Sequence, residues 1–139
     1  MELPEALAWA QARTHAVLIT LRRDGRAQSS DVVYGVVDGA FHVSLTADRA
    51  KTANMKRDPR VIFHLTEPSS WSYLSFDATV ELSPVCAAPD DPTVDQLADL
   101  FRIVAGHEHE DWDEFRAAMV ADRRLLARVV PTSVTGQAH

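Results

Sequence analysis

The sequence predicts an α+β fold, mainly β: an antiparallel sheet curled into a closed or half-closed barrel with a few flanking helices. Three observations predict it. Two Asp-Gly pairs, Asp24-Gly25 and Asp38-Gly39, separate strand-like runs, and this dipeptide is a strong hairpin signal. Just one helix, near Arg49–Arg57, interrupts the run of strands. The other helical segments come too late and too seldom for the strand–helix alternation of a parallel sheet.

Taken in order, Pro4–Arg13 reads as a short helix with Leu3, Leu7 and Ala10 on one side. His15–Leu21 is an apolar run of strand length, expected to be buried on both faces. Ala27–Val37 reads as one long second strand. Ala40–Thr46 alternates cleanly, with Phe41, Val43 and Leu45 opposed to His42, Ser44 and Thr46. Asp48 is placed to cap a helix over Arg49–Arg57, which Asp58-Pro59 stops. Val61–Thr66 is a fourth strand. Trp71–Leu82 is a fifth, with Leu74, Phe76, Ala78, Val80 and Leu82 on one face.

After a loop over Pro84–Pro92, a 3.6-residue stripe of Val94, Leu97, Ala98, Phe101, Val104 and Ala105 marks a helix that ends at Gly106. Asp111 and Glu114 have capping-box spacing and open a helix packing through Trp112, Phe115 and Met119. Leu125–Val130 is a last clear strand, with Thr132–Gly136 as a candidate for another. No linker or repeat divides the chain, so residues 1–139 are read as a single domain.

Of the 139 residues 46% are hydrophobic and 24% charged, ordinary globular composition. A domain of this length can bury roughly two-thirds of its unfolded surface without a metal or disulfide. The single cysteine, Cys86, has no partner for an intramolecular bridge. No apolar run approaches the ~20 residues that span a bilayer, and the N-terminus lacks a secretory pattern, so a cytoplasmic protein with no membrane partner is expected. The net charge of −6 argues against nucleic acid. That charge is uneven. Residues 1–60 carry nine basic and seven acidic groups, enough for a local patch that holds a small anion.

The sharpest local oddity is Asp48-Arg49-Ala50-Lys51-Thr52. Basic residues at a helix N-terminus oppose its positive partial charge. An anion there resolves the conflict, with backbone amides, the Thr52 hydroxyl, Arg49 and Lys51 converging on a phosphate. Both lysines of the chain, Lys51 and Lys56, lie on this helix, so a solvated basic face is the competing reading. Gln28, Ser29, Ser30 and Asp31 form either an exposed strand face or a row of partners for a planar heterocycle. Trp71 and Tyr73, two apart, cover a ring system or fill a core or interface. His107-Glu108-His109-Glu110 reads as a polar interhelix loop, with no metal expected. The chain has no nucleophile elbow, phosphate loop or dinucleotide fingerprint.

These segments carry a resemblance: Asp24–Ser30, Arg49-Ala50-Lys51-Thr52-Ala53-Asn54, Arg57–Arg60, Trp71-Ser72-Tyr73, Ala88–Val94 and Asp111-Trp112 through Arg124. Over nearly its whole length the chain resembles the pyridoxamine-phosphate-oxidase-like split-barrel superfamily, in particular its F420-binding branch of flavin/deazaflavin oxidoreductases. The resemblance implies a split β-barrel of six or seven antiparallel strands and a homodimer with cofactor sites at the interface. It implies that Arg49, Ala50, Lys51 and Thr52 hold the cofactor phosphate. Gln28, Ser29, Ser30, Ser44 and Thr46 would line the ring system, and Trp71 would wall the site. Arg123 and Arg124 match the family's basic pair and would meet the acidic tail of F420. Asp77 stands where relatives often carry glycine, and the C-terminal Arg-rich extension of true pyridoxine-phosphate oxidases is not matched, which argues against vitamin B6 oxidation.

The activity so implied is hydride transfer from reduced F420 to a small electron-poor organic substrate. The cofactor carries that chemistry, and the protein supplies orientation and exclusion of water. Tyr73 and Asp31 are proton donors by residue type alone, so no catalytic residue is assigned. The alternatives are an FMN-binding oxidoreductase of the same fold and a non-enzymatic F420-binding or storage protein. The surplus of basic groups in residues 1–60 favours F420, whose polyglutamate tail needs them, over FMN.

Overall fold

The computed structural model describes residues 1–139. Helix α1 (Leu3–Gln11) leads into strands β1 (His15–Leu21), β2 (Ala27–Val33), β3 (Gly35–Val37) and β4 (Ala40–Thr46). Helix α2 (Ala50–Arg57) precedes β5 (Arg60–Glu67), a 3₁₀ turn at Pro68–Ser70 and β6 (Ser72–Leu82). Helices α3 (Pro92–Ala105) and α4 (Trp112–Ala121) come before β7 (Arg124–Gln137).

All seven strands form one antiparallel sheet in the order β2-β1-β5-β6-β7-β4-β3. The sheet curls into a half-barrel, α+β and mainly β. Strands β2 and β3 are its two edges, although a single residue, Tyr34, separates them in sequence. The expected single strand over Ala27–Val37 is therefore two. Tyr34 ends the first because its side chain is driven fully into the core, where its hydroxyl donates to the Ala10 carbonyl at 2.6 Å. Its backbone N–H donates to the Thr14 carbonyl at 2.8 Å, and the chain crosses from the β1 side of the sheet to the β4 side.

Alternation decides what the curl encloses. Ala16, Leu18 and Thr20 of β1 are buried while Val17, Ile19 and Leu21 are only half-buried, so β1 is not covered equally on both faces. Leu74, Phe76, Ala78 and Val80 of β6 face the same core. At its centre Phe41 stacks on Phe63 at 4.4 Å, and Tyr34 meets both rings edge-on at 5.3 Å. Such pairs each add about 0.5–1.5 kcal/mol beyond area burial. A second, smaller core of Cys86, Val94, Leu97, Leu100 and Leu126 seats α3 on the sheet. Gly35 permits that seating. A Cβ there would lie 2.9 Å from Ile103 Cγ2 and 3.0 Å from Leu100 Cδ1.

Three further expectations are corrected. Asp48 does not cap α2; Arg49 is the N-cap residue, with no side-chain capping bond, because the chain turns through Thr46–Arg49 first. Trp71 is not in β6. Pro68 starts a 3₁₀ turn that ends with Trp71 in the left-handed region (φ 55°), and the strand begins at Ser72. The two candidate strands at the C-terminal end are one, β7, whose register shifts beside Pro131, where Ala78 pairs with Pro131 and Asp77 with Ser133 so that Thr132 is left out of the ladder. The capping spacing at Asp111 does operate: Asp111 Oδ1 accepts the Glu114 N–H at 3.1 Å.

No helix is long and apolar enough to cross a membrane.

Candidate functional site

A cavity of about 530 Å³ opens where the half-barrel is split, within the size range of small-molecule sites. Asp31 and Val33 at the end of β2 form one rim. Ser44, Leu45 and Thr46 of β4 form the floor, with Arg49 and Lys51 from the start of α2 and Arg124 from the start of β7 beside them. The remaining wall is apolar and comes from α3 and α4.

The α2 side is a concentration of positive charge. Arg49 donates to Thr46 Oγ1 at 3.1 Å, and Arg124 donates to Ser44 Oγ at 3.3 Å. Neither Arg49 nor Lys51 pairs with a carboxylate. Arg124 lies 4.0 Å from Asp122, and its buried Nε has no hydrogen-bond acceptor. Burial, reinforced by the neighbouring Arg49 charge, pulls the Lys51 pKa below its ordinary value. Repulsion between neighbouring cations is what a bound anion relieves. The positive partial charge at a helix N-terminus points the same way.

The cavity gathers Ser44, Thr46, Arg49 and Lys51 from the residues singled out in the sequence. The others stand elsewhere. Ala50 is exposed at the start of α2, outside the lining. Thr52 is fully buried beneath it; its hydroxyl donates to the Thr46 carbonyl at 2.9 Å and its amide to the Arg49 carbonyl at 3.1 Å. Thr52 thus ties α2 to β4. Gln28 is half-buried on β2, and its Oε1 accepts from Asn54 Nδ2 at 2.8 Å. Ser29 is exposed and Ser30 half-buried on the same strand, outside the cavity. Trp71 is 83% exposed and does not reach the cavity of its own chain. Arg123, in the left-handed region (φ 52°), sets the turn that aims Arg124.

Sequence reasoning missed the α3–α4 wall: Leu97, Leu100, Phe101, Val104, Phe115 and Met119. The signal was present as an apolar stripe, but a stripe facing a cavity and a stripe facing a core are written alike. Asp31, named by residue type alone, is the one carboxylate of the lining and pairs with His15 Nε2 at 3.1 Å. His109 of the interhelix loop packs against Phe101, Trp112 and Phe115 at 5.0–5.6 Å between centroids. Asp77 Oδ2 accepts from Ser133 Oγ at 3.1 Å beside the β6–β7 irregularity.

No family model matches the sequence. Solved structures do. A conserved hypothetical protein of Mycobacterium tuberculosis aligns over 100% of this chain and 86% of its own, with TM-score 0.79 and 21% identity. An F420 reductase aligns over 91% and 94%, with TM-score 0.70 and 25% identity. A Clostridium acetobutylicum protein of the pyridoxinephosphate oxidase family aligns over 99% and 88%, with TM-score 0.68 and 11% identity. The fold is a pyridoxamine-phosphate-oxidase-like split barrel. Split barrels similar to this chain also include heme-storing and FAD-binding proteins, at 19% and 17% identity. The split of the barrel, between the β2 rim and the β4 floor, is where the cavity lies.

Proposed function

We propose that this split barrel binds a phosphate-bearing flavin-type cofactor in the cavity, F420 in preference to FMN, and is an oxidoreductase acting on a small electron-poor organic substrate. The observation that carries the reading is the convergence of Arg49, Lys51 and Arg124 on the start of α2, where neither Arg49 nor Lys51 pairs with a carboxylate and Asp122 stands 4.0 Å from Arg124. Similarity to an F420 reductase at 25% identity supports F420. Arg49, Lys51 and Arg124 hold the phosphate; Ser44 and Thr46 orient what lies next to it; the apolar α3–α4 wall excludes water. Reduced F420, when bound, supplies the hydride. The proton that completes the reduction comes from solvent at the Asp31 rim.

The protein works as a homodimer. A groove of about 420 Å³ on the outer face of the sheet supports this; Ile19, Leu21 and Ile62 line it, with Arg60 and Asp77 at its edge. A second copy would cover it.

The test is a fluorescence titration of purified protein with F420 and, separately, FMN, repeated on Lys51→Ala. Loss of one charge-assisted phosphate contact weakens binding by about 1.5–3 kcal/mol, roughly ten- to a hundredfold. F420 binding that falls in the variant supports the proposal. Selective FMN binding replaces the cofactor, tight F420 binding without turnover on any acceptor makes the protein a carrier, and binding of neither refutes it.

A further inference from the structure

We infer that the α3–α4 side of the cavity is a second ligand subsite, built for an uncharged, apolar, ring-bearing molecule. Its role as the seat of the acceptor rests on the proposed oxidoreductase reading; its existence as a subsite does not. The wall consists of Leu97, Leu100, Phe101, Val104, Phe115 and Met119. Not one of these side chains offers a hydrogen-bond donor or a charge. A polar or ionic ligand placed against them would shed water and recover nothing.

The wall is also unfinished as a core. Leu97 and Leu100 are buried, but Phe101, Val104, Phe115 and Met119 are only half-buried, and Val33 on the opposite rim is 52% exposed. The barrel core, by contrast, hides Phe41, Phe63 and Phe76 completely. Apolar surface left open inside a concavity is regained when an apolar ligand covers it. Met119 adds an unbranched thioether that adapts to varied ring shapes.

The wall is held in place before any ligand arrives. Phe101 and Phe115 meet at 5.6 Å, and Trp112 packs edge-on against both at 5.8 and 5.3 Å. Arg116 anchors α4 to α3 through Asp95 at 2.9 Å and to the preceding loop through the Pro89 carbonyl at 2.9 Å. Charge sets the selectivity. The cations stand on the α2 side, whereas the carboxylate of Asp31 stands on the β2 rim and opposes an anionic ligand that leaves the cations.

Purified protein is titrated with uncharged 1-aminoanthracene and with anionic 8-anilinonaphthalene-1-sulfonate, inorganic phosphate occupying the basic side. The expected result is enhanced emission of bound 1-aminoanthracene, with affinity at least about tenfold above that for the sulfonate. Met119→Asp and the cavity-filling Val104→Trp each weaken 1-aminoanthracene about tenfold while thermal unfolding stays cooperative. Asp31→Asn narrows the preference for the neutral probe. Absence of binding, equal or tighter binding of the sulfonate, or indifference to both wall variants overturns the inference. The two readings separate cleanly: if F420 fails to bind while 1-aminoanthracene binds at the wall, the cofactor assignment falls and the subsite stands.

Discussion

Asn54 is the residue through which α2, with its basic first turn, is fastened to the edge of the sheet. It is 6% exposed. Its Nδ2 donates to Thr20 Oγ1 at 3.1 Å and to Gln28 Oε1 at 2.8 Å, and its Oδ1 accepts from Arg57 Nη2 at 3.0 Å. Asn54→Ala removes all three bonds at once, but their costs differ. Arg57 is exposed and Gln28 half-buried, so water takes over much of what they lose. Thr20 is completely buried, and its hydroxyl is left without the amide it now faces. A stranded buried hydroxyl costs about 1–3 kcal/mol, and the two wetter bonds together add about 1 kcal/mol. The expected loss is therefore about 2–4 kcal/mol, or roughly 6–16 °C in Tm for a domain of this size. Urea unfolding of Asn54→Ala, Thr20→Val and the double variant measures it, because Thr20→Val removes the stranded group. In the Thr20→Val background the cost of Asn54→Ala should fall by about 1 kcal/mol or more. A loss below about 0.5 kcal/mol, or strict additivity of the two substitutions, refutes the argument.

Other outcomes follow from single residues. His42 is 7% exposed, and burial, then the charge of Arg128, hold its pKa below the ordinary histidine value against the opposing pull of Asp38. Between the folded and unfolded pKa values the unfolded chain binds the extra proton, so stability is complete above the ordinary value and is lost as pH falls toward the folded one. Unfolding midpoints measured across that window should drop on acidification, and His42→Gln should flatten the drop. Gly136 sits at φ 130° beside Tyr73, and a Cβ there would overlap the Tyr73 carbonyl oxygen. Gly136→Ala should cost about 1–3 kcal/mol and show first as faster amide exchange at the Leu74 end of the β6–β7 ladder.

What the sequence disclosed was local. The two Asp-Gly turns, the alternation of β6 and the electrostatic conflict at Arg49 and Lys51 are each written within a few residues, and the structure carries all three features. What it concealed depends on distant partners. Nothing near Tyr34 announces that its hydroxyl meets Ala10, and that contact is what cuts one expected strand into two edges. Arg124 reaches the site because it faces Ser44, 80 positions away in the chain. Trp71 misled for the opposite reason, since its spacing from Tyr73 implied a shared face until the preceding 3₁₀ turn rotated it out of the strand. The α3 stripe was legible as apolar, but the void in front of it was not.

The order of the sheet has a consequence for how the molecule comes into being. Strand β7 alone joins the β2-β1-β5-β6 half to the β4-β3 half, and it follows every other strand in the chain. During synthesis the first six strands can pair as a four-stranded ribbon and a separate hairpin, with the seam between them open. Pairings this distant in sequence carry a large loop-closure cost and form slowly. The basic cluster needs Arg124, the first residue of β7, so the site is assembled by the same event that seals the seam. A nascent chain that has not yet emerged through β7 has the pieces of the cavity and no cavity.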